Sequence, residues 1–215
     1  SEMCIRDSGH DVQEEPKEAK ACIGYLPEIP PLYTDMTVQE YLLFVSELKG
    51  KKKKADRVQD VAQAVQRAGL QEMEKRLIRN LSKGYRQRVG IAAALLGSPK
   101  VIILDEPTAG QDFRHYTDIM EFLRGLNEQG VTVVMITHDM HLMLEYTPRA
   151  LVFCDGQLIA DRSAAAVLCD PELIEQAALK ETSLFTLANR CGIAPAEDFV
   201  ERFIHEDREV RTHGC

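Results

Sequence analysis

The chain has 215 residues and a formal net charge of −8 at pH 7, with 45% hydrophobic and 28% charged residues. These shares are ordinary for a folded globular protein and exclude a disordered chain, and the length suits one domain or one domain with an appendage. The acidic balance excludes nucleic acid as the main partner, because phosphate binding needs clustered Lys and Arg.

The six cysteines form no Cys-x-x-Cys pair, which argues against a zinc site or a disulfide framework and predicts free thiols in a reducing compartment. No apolar run approaches the roughly 18 residues that span a bilayer, and the sequence shows no signal peptide. We therefore expect a soluble, cytoplasmic protein that meets the inner face of the membrane only through partner subunits.

The first predicted elements are a strand and two helices. Residues 1–20 are polar and acidic without periodicity, which predicts a disordered or non-native lead-in. The apolar run at 22–26 predicts a buried strand, and the i, i+3, i+4 stripe after Thr37 predicts a helix that Thr37 caps. A second helix is predicted over about 55–68, and the basic run at 51–54 before it is predicted to be a solvated loop.

The middle of the chain alternates helices and strands. Ser82 is predicted to cap a third helix that ends near Leu96, and the apolar run at 101–104 predicts a strand buried on both faces of a parallel sheet. A helix over about 116–129 leads to a second such strand at 131–136. This alternation places the middle of the chain in the α/β class.

The last part of the chain predicts a hairpin followed by helices. Asp155-Gly156 lies between apolar runs at 150–154 and 158–160, which is typical of a β-hairpin. From Asp170 onward the pattern is helical, with predicted segments near 171–179, 183–189 and 196–204.

Asp105 and Glu106 end a predicted buried strand, which is where open α/β sheets bind ligands. Two successive acids there suit magnesium-assisted phosphoryl transfer, since one carboxylate holds the cation and the next activates the attacking water. The alternative is a surface Asp-Glu pair at a strand-to-turn junction. Ser82 adds a second signal, because unpaired amides at a helix N-terminus favour an anion.

Five segments, in this order and spacing, resemble the motifs of the ATP-binding cassette (ABC) ATPase family. The segment Leu81–Tyr85 resembles its signature loop, and Val101–Glu106 resembles its Walker B strand with the catalytic glutamate. Ala109–Asp112 resembles the D-loop, Thr137–His138 the switch histidine, and Ile23–Glu28 the Q-loop.

The resemblance implies a role for each matching residue. Glu106 would act as the catalytic base, His138 would contact the γ-phosphate of ATP, and Asp105 would hold Mg2+. Glu28 replaces the family's usual Gln, and its carboxylate still suits Mg2+. The residues that would bind nucleotide, partly across a dimer of cassettes, are Ser82, Lys83, Gly84, Tyr85 and Asp112.

The chain departs from the family in two ways. Lys83 and Tyr85 replace a usual Gly and Gln; Lys83 keeps the loop electropositive, whereas Tyr85 removes an amide side chain. The chain also contains no Gly-x-x-x-x-Gly-Lys-Ser/Thr loop (Walker A) to grip the phosphates. A truncated open reading frame and a degenerate regulatory subunit both explain this, and the intact Glu106 and His138 favour truncation.

The resemblance implies a P-loop NTPase-like α/β fold, in which a parallel sheet carries a helical subdomain and the Walker A portion is missing. It divides the chain into a lead-in at 1–20, a partial ABC ATPase domain at 21–160 with the helical subdomain at about 37–97, and a C-terminal helical extension at 161–215.

Two branches of the family are represented. The stretch 23–89 resembles ATPases of exporter-type and gliding-motility systems, whereas the chain from Gly110 onward, including 179–185, resembles ATPases of energy-coupling-factor importers. A spliced sequence is therefore an alternative to a single parent. The short insert between Glu28 and Leu81 lacks the long heptad coils of chromosome-maintenance and break-repair ATPases.

The resemblance implies the ATP-hydrolysing subunit of an ABC transporter, which binds ATP and Mg2+ and powers solute transport. Its partners would be a second ABC ATPase subunit, in a homodimer or heterodimer, and a transmembrane permease subunit. We expect the chain alone to be inactive. Two alternatives stay open: a non-transport ABC ATPase, and a non-catalytic cassette that lends its signature loop to a partner.

Overall fold

The computed structural model describes residues 6–7, 10–11, 14–51, 53–180 and 182–213. The chain divides into two compact units, an N-terminal unit of Ser1–Ile136 and a C-terminal unit of Thr137–Cys215. This division falls earlier than the boundary predicted at residue 160.

The N-terminal unit begins with short elements where the sequence predicts a lead-in. Strands β1 (Arg6–Asp7) and β2 (His10–Asp11) pair antiparallel, and helix α1 spans Pro16–Ala21. The described part of 1–20 thus contains short regular elements, while the prediction of a disordered or non-native lead-in stays a prediction. The physical reason at α1 is that Pro16 presets the helical φ at the first turn while Ala19 is buried.

Three parallel strands form the sheet of this unit: β3 (Ile23–Leu26), β4 (Val101–Asp105) and β5 (Thr132–Ile136), in the order β3-β4-β5. Helix α5 (Phe113–Glu128) connects β4 to β5. The predicted α/β class with a parallel sheet is confirmed, because each strand returns to the same direction through helical connections.

Helices α2 (Val38–Leu48), α3 (Lys54–Arg67) and α4 (Lys83–Leu95) lie between β3 and β4, with 3-10 turns at Gln71–Met73 and Ile78–Asn80. They enclose a common apolar core. The predicted caps are confirmed at the starts of α2 and α4, where Thr37 and Ser82 each accept a backbone N–H.

A polar network, in which Ser46 and Asp60 are buried and Lys49 is exposed, closes the carboxyl end of α4. The Asp60 carboxylate accepts hydrogen bonds from Ser46 Oγ and from the Gly97 amide, each at 3.0 Å. The Lys49 ammonium donates to two carbonyl oxygens at the end of α4, at 3.1 and 2.9 Å. Burial lowers the pKa of Lys49, and the charge of Asp60 opposes that shift. The last carbonyls of α4, which have no partner within the helix, are thereby satisfied.

Helix α4 packs closely on β3 because Gly24 has no side chain. A Cβ atom at Gly24 would overlap the carbonyl oxygen of Ala94 and lie 3.0 Å from Ile102 Cγ2. The helix therefore covers the face of the sheet that includes Leu26, Ile102 and Leu104, which are all buried.

The opposite face of the sheet is open. Tyr25, Ile103 and Val134 occupy successive register positions across β3, β4 and β5. Tyr25 is 55% exposed, Val134 40% and Ile136 53%. The prediction of burial on both faces is wrong for β5, whose Val134 and Ile136 are exposed, whereas the β4 residues on this face are partly buried. An apolar run alone does not distinguish the two cases.

The C-terminal unit consists of a hairpin and five helices in its described residues. Strands β6 (Ala150–Cys154) and β7 (Gln157–Arg162) pair antiparallel, which confirms the predicted hairpin. The helices are α6 (Met140–Tyr146), α7 (Ala164–Leu168), α8 (Pro171–Gln176), α9 (Ser183–Arg190) and α10 (Ala196–His213).

The hairpin belongs to this unit because it shares a core with the helices that follow. Val152 and Ala160 of the hairpin pack with Val167 and Leu173. The sequence pattern identified the hairpin, whereas the family resemblance included it in the partial ATPase domain at 21–160. The four described cysteines, Cys22, Cys154, Cys169 and Cys191, are free thiols.

The two faces of the sheet predict different responses to the same kind of substitution. Val134→Thr should change the free energy of unfolding by less than about 0.5 kcal/mol, because the side chain already meets water. Ile102→Thr should cost roughly 2–4 kcal/mol, since it removes buried apolar volume and buries a hydroxyl. Urea unfolding followed by circular dichroism measures both, and equal costs would contradict an open face.

Candidate active site

The two acids predicted to carry catalysis lie at the carboxyl end of β4. Asp105 is the last residue of the strand, and the Glu106 amide donates to the Ile136 carbonyl at 2.9 Å, which extends the ladder to β5. Glu106 has φ of 44°, in the left-handed region that disfavours side chains. Such a conformation costs about 1–2 kcal/mol per non-glycine residue and is typical of functional sites.

Glu28 lies at the same edge of the sheet. Leu26 ends β3 directly opposite Leu104, and Glu28 follows two residues later with its side chain exposed. Among the described residues, no three His, Cys, Asp or Glu side chains converge on a common metal position. The predicted Mg2+ ligands, Asp105 and Glu28, therefore stay a prediction. A site of one or two carboxylates completed by phosphate oxygens is the usual arrangement for Mg2+.

The predicted signature residues form the start of α4. Ser82 is the N-cap, with its Oγ accepting the Tyr85 amide at 3.4 Å, and Lys83, Gly84 and Tyr85 form the first turn. This 13-residue helix directs its unpaired amides and the positive end of its dipole toward that turn. Arg86 Nη2 donates to the Arg79 carbonyl at 2.8 Å, which anchors the preceding segment to the helix.

Asp112 is the N-cap of α5 and is tied to His115. Its Oδ1 accepts the His115 amide at 3.0 Å, and the two carboxylate oxygens lie 2.8 and 2.7 Å from His115 Nδ1. The backbone hydrogen bond from His115 lowers the pKa of Asp112, and the side-chain hydrogen bond lowers it further. The stabilisation is therefore present above the ordinary pKa of Asp and is lost as the pH falls through the lowered value.

The structure brings the signature turn and the Asp112 turn together. A Cβ atom at Gly84 would lie 2.9 Å from His115 Cδ2 and 3.7 Å from Gln111 Oε1. A Cβ atom at Gly110 would overlap Lys83 Nζ. The predicted residues of both segments therefore belong to one surface, which we call the signature face: Lys83, Gly84, Gly110, Gln111, Asp112 and His115.

Sequence reasoning missed His115. The available signal was the Asp-x-x-His spacing at a helix start, since a side chain three residues after the N-cap returns to it. That signal predicts a local contact with Asp112, but the contact with Gly84 depends on the packing of two helices.

His138 belongs to the C-terminal unit, two residues after the end of β5, and its side chain is exposed. The next residue, Asp139, caps α6 by accepting the amides of His141 and Leu142 at 3.0 and 3.1 Å. The predicted role of His138 stays a prediction.

A parallel α/β sheet with paired acids at a strand end, beside a serine-capped helix, has the features of a phosphate-binding α/β protein. Residues 4–109 match the ABC transporter family. The chain belongs to the ABC transporter ATPase family, as its resemblance to that family indicates.

Its curated relatives are named as ABC transporter ATP-binding proteins. One from Enterococcus faecalis is 60% identical over 131 residues, which cover 61% of this chain and 23% of that protein. One from Clostridium perfringens is 52% identical over 152 residues, or 71% of this chain and 27% of that protein. One from Staphylococcus aureus is 40% identical over 195 residues, or 90% and 34%. The chain thus spans about a quarter to a third of these relatives.

Solved structures share the fold. The C. perfringens protein cbiO1, described as part of the ABC transporter complex cbiONQ, has a TM-score of 0.68 and 26% identity, covering 85% of this chain and 74% of that chain. A dimeric cassette bound to ADP and Pi has a TM-score of 0.59 and 28% identity, covering 74% and 70%. Across the described part of the chain, no helix combines the length and apolarity needed to cross a bilayer.

The positive φ at Glu106 predicts that a glycine variant will be more stable than an alanine variant at this position. Glu106→Gly should be more stable than Glu106→Ala by about 1 kcal/mol, because only glycine adopts the left-handed conformation without a Cβ clash. Both variants lack the carboxylate, so the comparison isolates the backbone. Urea unfolding measures the difference, and the reverse order, which holds where φ is negative, would contradict it.

Proposed function

We propose that this chain is part of the ATP-hydrolysing subunit of an ABC transporter that powers solute transport through an associated membrane subunit. The observation that carries the proposal is the signature face, in which the first turn of α4 packs on the Gly110–Asp112 turn. Both segments were assigned to nucleotide binding from sequence, and an unrelated α/β protein would have no reason to join them.

The residues present fit ATP and Mg2+. The amides at the start of α4 and the nearby Lys83 ammonium suit phosphate oxygens, whereas the Asp105 and Glu28 carboxylates suit a hard cation. When bound, ATP supplies the phosphoryl group that is transferred to water. In this assignment Asp105 and Glu28 would hold the cation, Glu106 would accept the proton of the attacking water, and His138 would donate to the γ-phosphate.

The signature face is assigned to a second nucleotide-binding subunit. Ser82, Lys83, Gly84, Tyr85 and Asp112 would contact the γ-phosphate side of ATP held by a partner cassette, in a homodimer or heterodimer. The dimeric relative with ADP and Pi and the complex that includes cbiO1 support this assembly by analogy. The remaining proposed partner is a transmembrane permease subunit, which would hold the chain at the cytoplasmic face of the membrane.

The proposal implies a longer protein in which a Walker A segment precedes this chain, and the role of Glu106 is tested in that longer protein. Glu106→Gln should lower ATP turnover about 100-fold or more, because general base catalysis is worth about 10²–10⁴, while ATP binding persists. Glu128→Gln, on the exposed end of α5, is the matched control and should leave turnover unchanged. Turnover and fluorescent-nucleotide binding are measured together, with His138→Ala as a second arm that should also lose most turnover.

Near-normal turnover of Glu106→Gln would remove the base from the assignment. Absence of turnover in the unsubstituted protein, with ATP binding intact, would favour a non-catalytic cassette that lends its signature face to a partner.

The chain by itself should bind ATP weakly and hydrolyse none. Its sequence contains no Gly-x-x-x-x-Gly-Lys-Ser/Thr loop, whose amides and lysine provide most of the hold on the phosphates. Isothermal titration calorimetry of the purified chain with Mg-ATP measures this. Micromolar affinity would contradict the prediction and would require another phosphate site in the chain.

A further inference from the structure

We propose that His115 is a positioning residue that sets the arrangement of the signature face, by holding the Asp112 carboxylate with its ring nitrogen and the Gly84 backbone with its ring edge. The consequence for nucleotide rests on the proposed function. The coupling between the two turns is a property of the chain itself.

The first half of the proposal is the hydrogen bonding to Asp112. The backbone and the side chain of His115 both hydrogen-bond to the Asp112 carboxylate. The His115 amide lies 3.0 Å from Oδ1, and Nδ1 lies 2.8 and 2.7 Å from the two oxygens. A carboxylate only accepts, so Nδ1 carries the proton in this contact. The rotamer of Asp112 and the ring plane of His115 are therefore fixed by each other.

The second half is the packing against α4. Because Gly84 has no Cβ, the edge of the imidazole reaches the helix backbone, and a side chain there would lie 2.9 Å from His115 Cδ2. Gly84 is buried, whereas the His115 side chain is 45% exposed. The ring thus fills the space beside Gly84 that a side chain would occupy, while part of the imidazole stays accessible to solvent.

Two other side chains lie between the Gly110–Asp112 turn and the start of α4. Gln111 Oε1 would lie 3.7 Å from a Cβ atom at Gly84, and its Nε2 is buried with no hydrogen-bond partner in the described structure. Lys83 lies over Gly110 and contributes a flexible contact from α4. The pair of Asp112 and His115 is the rigid element, because both of its members are also fixed by the first turn of α5.

The experiment separates hydrogen bonding from packing with three variants of the chain. His115→Asn retains a donor near the position of Nδ1, His115→Phe retains a ring without the donor, and His115→Ala removes both. Arg114→Ala, an exposed neighbour on the same turn, is the control. The first readout is the backbone amide resonances of Gly84 and Asp112 in 15N–1H spectra, recorded without nucleotide.

We expect His115→Ala to shift both resonances, His115→Phe to shift mainly Asp112, and His115→Asn to restore Asp112. The Arg114→Ala control should move neither. An unchanged Gly84 resonance in His115→Ala, which removes the ring, would overturn the packing half of the proposal. Identical Asp112 resonances in His115→Asn and His115→Phe would overturn the hydrogen-bond half.

The second readout is turnover in the longer protein. A misplaced group costs up to about 10²-fold in rate, so His115→Ala and His115→Phe should lose about tenfold in kcat while His115→Asn recovers most of it. Equal kcat in the unsubstituted protein and in all three His115 variants would overturn the functional consequence. If the unsubstituted protein shows no turnover, the proposed function fails, and the resonances alone decide whether His115 couples the two turns.

Discussion

The polar network at the carboxyl end of α4 is the constraint on which the N-terminal unit depends. Asp60 and Lys49 bind the backbone where the helix ends, and the carbonyls there have no partner within the helix itself. Asp60 is buried, and removing its carboxylate would leave the Ser46 hydroxyl and the Gly97 amide without this partner, at about 1–3 kcal/mol for each buried group. The network therefore fixes the position of α4 along its axis. Because the helix is rigid, this also fixes the position of the signature residues at its other end.

Two glycines determine how closely α4 approaches its neighbours. At Gly24 the helix meets β3 through the Ala94 carbonyl, and at Gly84 the helix itself meets the imidazole of His115. Both contacts replace a side chain with direct backbone packing, which leaves little freedom to slide because interiors are close-packed. Helix α4 thus transmits the position of the sheet to the signature face. Glu106 at the end of β4 adds a strained backbone to the same unit.

Local signals explain what could be predicted from the sequence. Thr37 and Ser82 cap their helices through contacts within three residues, so the chain order alone reveals them. The hairpin at Asp155-Gly156 is equally local, since both residues adopt the positive φ that such a turn requires. Asp105 and Glu106 were recognisable because a short apolar run followed by acids marks a strand end, and strand ends of parallel sheets meet at one edge.

The sequence by itself determined the class of fold, the caps, the strand ends and the family motifs, because each depends on neighbours a few residues apart. Tertiary structure alone decided that Gly84 meets His115, that Val134 and Ile136 face water, and that the hairpin packs with the later helices. The physical reason is that an apolar or small residue records a preference for close contact but not the identity of its partner. That identity is set only when helices and strands distant in the chain pack together.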